Sequence, residues 1–166
     1  VYAIFLSDIH VGSKQFLEEE FTKFLKWVSG EVGSEAQQEV ARKVKYIFIV
    51  GDLVDGVGIY PNQNSELDID DIYDQYDAFT KFIKLIPQDK KIIICPGNHD
   101  SQRLAEPQPA LDPKYVGELA ELPNVSLLSN PSYVNIHKSE DFPGFDVLLY
   151  HGYSFDYYIS NIDHIR

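Results

Sequence analysis

Aspartate, histidine and asparagine residues gather in four short motifs, and each motif closes a strongly apolar run. They are Asp8-Ile9-His10, Gly51-Asp52-Leu53-Val54-Asp55, Gly97-Asn98-His99-Asp100 and His151-Gly152. Carboxylate and amide oxygens together with imidazole nitrogens suit hard and borderline divalent cations. A pair of such ions clamps the attacking and leaving oxygens of an in-line displacement at phosphorus. The chemistry that these residue types suggest is therefore metal-assisted hydrolysis of a phosphate ester.

Each motif needs an element to carry it. The preceding runs are Ala3-Ile4-Phe5-Leu6, Ile47-Phe48-Ile49-Val50, Ile92-Ile93-Ile94-Cys95 and Val147-Leu148-Leu149-Tyr150. A buried parallel strand reads as such a continuous apolar run. Open α/β sheets bind ligands just beyond the carboxyl ends of their strands. The four motifs are thus expected to converge on one ridge. Strands are expected over 1–6, 46–50, 91–95, 125–128, 133–137 and 145–150. Helices are expected from about residue 17 to Val28, over 35–45 and 68–85, in a short piece ending near Leu122, and over 157–166. Gly30 and Gly33 stop the first helix, whose buried face is Leu17, Phe21, Phe24, Leu25 and Val28. Residues 56–65 read as a loop beside the site. Strand and helix alternate, so the fold class is α/β.

The order Asp-x-His, Gly-Asp-x-x-Asp, Gly-Asn-His-Asp and His-Gly resembles the calcineurin-like metallophosphoesterases over nearly the whole chain. Singly, each motif is ordinary turn chemistry; four in order, each after a strand, are specific. The stretch from Pro96 to Ala110, and His151-Gly152-Tyr153-Ser154-Phe155-Asp156, more narrowly resemble the small subunits of archaeal family D DNA polymerases. The resemblance implies layered sheets flanked by helices, with the active site at strand carboxyl ends. It implies two divalent metal ions, with manganese foremost and iron, zinc or magnesium as the alternatives. Asp52 would bridge them, Asp8 and His10 would hold the first, and Asn98 and His151 the second. His99 would be the general acid, with Asp100 holding its ring in one tautomer. The activity implied is a proofreading 3′–5′ exonuclease acting on DNA 3′ ends beside a large polymerase subunit, in the cytoplasm of an archaeal cell and associated with its nucleoid. The rival readings are a stand-alone phosphatase, phosphodiesterase or repair nuclease, and an inactive scaffold.

Arg103 is a candidate for pairing with phosphate, against a surface salt bridge as the default. Asp55 reads as structural, and His137 and His164 match no motif. The family's further Gly-His-x-His motif has no counterpart here, so residues 1–166 are expected to be one metallophosphoesterase domain cut from a longer chain.

Composition sets limits. The chain has 166 residues, 44% hydrophobic and 24% charged, with 11 tyrosines and 10 phenylalanines, which is enough for one solid core. Its single cysteine, Cys95, lies in an apolar strand and reads as a small buried hydrophobe. No run approaches the length of a membrane span. The net charge of −12 is the odd figure for a DNA enzyme, because phosphate contacts by cations dominate nucleic-acid affinity. Metals and a partner would have to supply that charge.

Overall fold

A computed structural model describes residues 1–164. Strand β1 (Tyr2–Leu6) is followed by helices α1 (Glu18–Val28) and α2 (Glu35–Lys43), then β2 (Val44–Val50). A 3₁₀ turn (Gln63–Glu66) precedes α3 (Ile72–Ile83) and β3 (Lys91–Cys95). The short α4 (Pro113–Val116) leads through a second 3₁₀ turn (Gly117–Glu121) to β4 (Val125–Leu127). The ribbon strands β5 (Ser132–Ile136) and β6 (Phe145–Leu149) come next, then α5 (Phe155–Asn161).

Strands β1-β2-β3-β4 form a parallel sheet in sequence order, with Phe5 opposite Phe48, Phe48 opposite Ile93, and Ile94 opposite Leu127. One face of β2 and β3 presents Ile47, Ile49, Ile92 and Ile94 to the helices, whose Leu25, Val28, Tyr76, Phe79 and Ile83 are buried in the same cluster. The other face presents Phe48, Ile93 and Cys95 to the ribbon through Leu149, with Val134, Ile136 and Val147 at its edge. The layers are helices, parallel sheet and ribbon, as the fold class expected.

The fourth motif strand departs from expectation. β6 pairs antiparallel with β5 in a separate two-stranded sheet. Only Leu149 of its run is buried, and Leu148 is 67% exposed. An apolar run cannot by itself distinguish a strand buried on both faces from one buried on a single face. β1 is also only half covered, because it is the edge strand and Phe5 stacks on Phe48 with its outer side open.

Helix boundaries shift for identifiable reasons. α3 starts at residue 72 rather than 68 because the amides of Asp68 and Ile69 are taken by the Gly12 carbonyl. The Asp71 side chain then accepts from the amides of Tyr73 and Asp74 at 2.8 and 3.1 Å, a standard N-cap. α2 opens on a capping box between Ser34 and Gln37. It ends at Lys43, where Val44 turns extended and enters β2. The buried Lys90 ammonium donates to the carbonyls of Ala41 and Val44 there. α5 ends at Asn161 because Ile162 is extended; residues 165–166 of the helix expected there lie outside the described residues. Among the described residues, no helix is long and apolar enough to cross a membrane.

Candidate metal centre

Asp8, His10 and Asp52 adopt φ values of 55°, 52° and 52° just beyond β1 and β2. The left-handed region disfavours side-chain-bearing residues, and such strain persists only where surroundings enforce it. Here backbone pairing enforces it. The Asp8 amide donates to the Gly51 carbonyl, and the amides of Ile9 and His10 both donate to the Asp52 carbonyl. The two strand-end loops are thus zipped together, and their side chains are thrown onto one ridge.

The third motif closes over them. The His99 amide donates to Asp52 Oδ1 at 2.9 Å. Gly97 passes so near that a Cβ there would collide with the Asp52 carboxylate and lie 2.8 Å from His151 Nε2. A Cβ on Gly51, at φ 84°, would run into the His151 ring. Neither position has room for a side chain.

Asp52 Oδ2 stands between two histidines, 3.6 Å from His10 Nε2 and 3.5 Å from His151 Nε2. His10 Nε2 also lies 4.0 Å from Asp8 Oδ1, and His151 Nε2 lies 3.0 Å from Asn98 Oδ1. All five expected ligands are therefore brought together. Two groups have ligand atoms within 4.8 Å of one another: Asp8, Asp52 and His151, and His10, Asp55 and His99.

The donor chemistry fits a pair of divalent cations. His151 Nδ1 lies 2.8 Å from the Val50 carbonyl, which can only accept, so that nitrogen carries a proton. In the neutral ring the Nε2 lone pair then faces two oxygens, an arrangement that requires a proton or a metal ion between them. Without metal the proton wins. Burial pulls the imidazole down, but the Asp52 carboxylate raises it further, to about 9. Burial likewise pushes Asp52 up, yet the His151 ring and the His99 amide outweigh it and hold the carboxyl below its usual range. On the other side, His10 Nδ1 lies 3.2 Å from Asp55 Oδ1 but outside hydrogen-bond geometry, so it is a buried nitrogen without a hydrogen-bond partner.

The remaining candidates divide. His99 Nδ1 lies 2.7 Å from the Asp55 backbone carbonyl, which fixes the proton on Nδ1 and leaves Nε2 to the site. The His99 and His10 rings meet edge to face at 4.7 Å. Asp100 does not hold the His99 ring, contrary to expectation. Its buried carboxylate accepts from the amides of Gly97 and Leu53 at 2.8 and 3.2 Å and from the Tyr76 hydroxyl at 3.3 Å. It staples the third motif to the second and to α3, and burial pushes its carboxyl up to about 7. Neighbouring positions on a tight loop need not share a partner, and a motif carries no information on this point.

Asp55 holds its loop, with Oδ2 accepting from the Gln63 amide at 2.8 Å, while its other oxygen faces His10 in the second side-chain group. Arg103 makes no salt bridge among the described residues; its guanidinium donates to the Pro107 carbonyl, and it lines a cavity of about 480 Å³ together with His99.

Two residues in no motif complete the centre. The wholly buried Asn130 accepts from the His151 amide at 3.0 Å and donates to Gln108 Oε1 at 2.8 Å. Gln108 in turn donates to the Gly97 carbonyl at 3.0 Å. This amide pair ties the fourth motif to the third.

Residues 3–166 match the calcineurin-like phosphoesterase family. The chain belongs to that family. It is 49% identical over 152 residues to the DNA polymerase II small subunit of Methanothermobacter thermautotrophicus, covering 92% of this chain and 30% of that protein. It is 48% identical over 162 residues to the DNA polymerase II small subunit of Methanocaldococcus jannaschii, covering 98% and 26%. For the DNA polymerase II small subunit of Pyrococcus furiosus the figures are 43% over 152 residues, 92% and 24%. The chain therefore spans between 24% and 30% of the length of these relatives. Calcineurin-like phosphoesterases use divalent metals, and the two side-chain groups described above are where such ions could be held in this chain.

Proposed function

We propose that this chain is the two-metal phosphodiesterase domain of a DNA polymerase small subunit, acting as a 3′–5′ exonuclease on DNA ends. The observation that supports it best is Asp52 Oδ2, flanked at 3.5 and 3.6 Å by histidines that belong to two different ligand groups. That is where a bridging carboxylate belongs. Asp8 and His10 would hold one ion with Asp52, and Asn98 and His151 the other; Asp8 also groups with Asp52 and His151, and His10 with Asp55 and His99. The family's Gly-His-x-His segment would come from the remainder of a longer chain.

When bound, the ions supply charge to the phosphoryl oxygens and lower the pKa of the attacking water. The residues of the chain do the rest. Water adds across the bond between phosphorus and O3′: its oxygen ends on phosphorus, and the departing O3′ takes a proton. His99 Nε2 is the donor: in the imidazolium form Nδ1–H stays on the Asp55 carbonyl, Nε2–H passes to O3′, and the proton given up by the attacking water balances it. Phosphoryl transfer relies mainly on positioning and electrostatics, so no covalent nucleophile is required. Arg103 lies on the His99 side, where the departing strand would run.

The net charge of −12 implies that a large polymerase subunit grips the duplex and delivers the frayed terminus at high effective concentration. The test is the rate of exonuclease action on a mismatched primer terminus by the full-length subunit with divalent metal, across a salt series, with and without the large subunit. Slow, salt-sensitive cleavage that the large subunit accelerates supports the reading. Full activity of the subunit alone at physiological salt indicates a self-sufficient nuclease.

A further inference from the structure

A cavity of about 530 Å³ opens directly off the candidate centre, with Asp8, His10 and Asp55 in its lining. Away from the centre it is lined by Phe16, Leu17 and Phe21, at the entry to α1. Tyr60, from the loop after the second motif, also lines it, and its ring stands 6.3 Å from that of His99. The lining is preformed. Ser13 bridges Leu67, the Lys14 amide donates to the Glu66 carbonyl at 2.9 Å, and the Tyr60 hydroxyl donates to Glu66 at 3.1 Å. Phe16 packs edge to face on Phe21 and Phe82.

The charge of this cavity limits its occupant. Glu20 and Glu66 join the two carboxylates and the imidazole of the ridge, Asp8, Asp55 and His10, and among the described residues no lysine or arginine lines it. Away from the ridge, a phosphate entering it would meet only the like charge of Glu20 and Glu66. What fits is flat, uncharged and apolar on its faces, with N–H donors at its edge for the two glutamates. An unpaired nucleobase has those properties. Aromatic stacking accepts every base, since each has a π-face.

We propose that this cavity receives the unpaired base of the 3′-terminal nucleotide, whose single phosphate stays at the metal centre; this rests on the phosphodiesterase reading above. The terminal nucleoside then lies on the Asp8 and His10 side, and the departing strand leaves past His99 and Arg103. A nucleotide inside a strand carries a phosphate on each side, and one of them would be pushed into the acidic lining. The cavity thus selects ends over internal sites.

The experiment uses the full-length subunit loaded with manganese and single-stranded oligonucleotides ending in 2-aminopurine or in an abasic residue. Stacking is read as fluorescence quenching of terminal 2-aminopurine, and cleavage as KM on each terminus. A base-bearing end is expected to show a KM roughly tenfold lower than an abasic end, the scale of one base–aromatic stack. Tyr60→Ala and Leu17→Ser, both at exposed positions, are each expected to reduce the quenching and to bring the two KM values together with metal content unchanged. Equal KM and equal binding for both ends in the unmodified protein overturn the cavity's role and leave the phosphodiesterase reading standing. Quenching without cleavage of either end keeps the base site and overturns that reading. Neither quenching nor cleavage overturns both.

Discussion

The His99 backbone amide donates a 2.9 Å hydrogen bond to Oδ1 of Asp52. One carboxylate oxygen is thereby spent on holding the third motif against the second. The other, Oδ2, is left facing His10 and His151. Replacing Asp52 removes both functions at once. Asp52→Ala in the full-length protein should lose most of its bound divalent metal by elemental analysis. Unchanged metal content would remove Asp52 from its bridging position.

His99 should behave differently. Its Nδ1 is occupied by the Asp55 carbonyl, so only Nε2 can serve the reaction. His99→Ala is expected to keep metal and lose roughly 10²–10⁴-fold in kcat, the usual scale for general acid catalysis. Cleavage at the unmodified rate would take His99 out of the mechanism. Loss of metal would instead make it a ligand beside His10 and Asp55, with which its ring already groups.

Asp100 predicts a stability effect with a definite sign. Its two oxygens receive two amides and the Tyr76 hydroxyl, all donors. Asp100→Asn turns an NH₂ group towards one of those donors, costing about 1–3 kcal/mol for a buried unsatisfied pair. Because burial raises the folded-state carboxyl to about 7, from an ordinary value near 3.8, the neutral acid is favoured on folding. That contribution is complete below the unfolded value and is lost as pH rises through about 7. Denaturant melts of metal-free protein between about pH 4 and 8 should therefore fall less steeply with pH in Asp100→Asn than in the unmodified chain. Parallel curves would show that Asp100 does not titrate with folding.

How much of this was legible depended on range. Apolar runs located β2 and β3 because a parallel sheet covered on both faces leaves such runs in sequence, and they located the half-covered edge strand β1 as well. The ribbon strand β6 was misread because its run is buried on one side only. The convergence of Asp8, His10, Asp52, Asn98 and His151 on one ridge was legible because spacing at strand ends is local. Their left-handed backbone was not, since nothing in Asp-x-His announces it. The partner of Asp100 and the Asn130–Gln108 pair depend on contacts across the fold, which no motif records.

Cys95 tests the core next to the centre. It is fully buried under the ribbon, and burial pushes its thiol up to about 12. The thiolate is the reactive form. A disulfide-exchange reagent at neutral pH should therefore label Cys95 no faster than the chain opens, with full labelling in denaturant. Rapid labelling of native protein would show that the ribbon does not seal this face.

Asn130 predicts that metal binding depends on a residue that touches no metal. Its Oδ1 holds the His151 amide, and its Nδ2 holds Gln108, which reaches the Gly97 carbonyl. Both loops that carry the proposed second-ion ligands, Asn98 and His151, are thus set by one buried amide pair. Outer groups that orient ligands are typically worth 10–100-fold in metal affinity. Asn130→Asp keeps the shape and the oxygen facing His151 but replaces the donor to Gln108 with a second oxygen. It is expected to weaken binding of one of the two ions by about that factor, leaving the other near its original affinity. Calorimetric metal titration of the folded variant would resolve the two steps. Equal weakening of both ions would mean that the amide pair supports the whole ridge, and no weakening would confine it to packing.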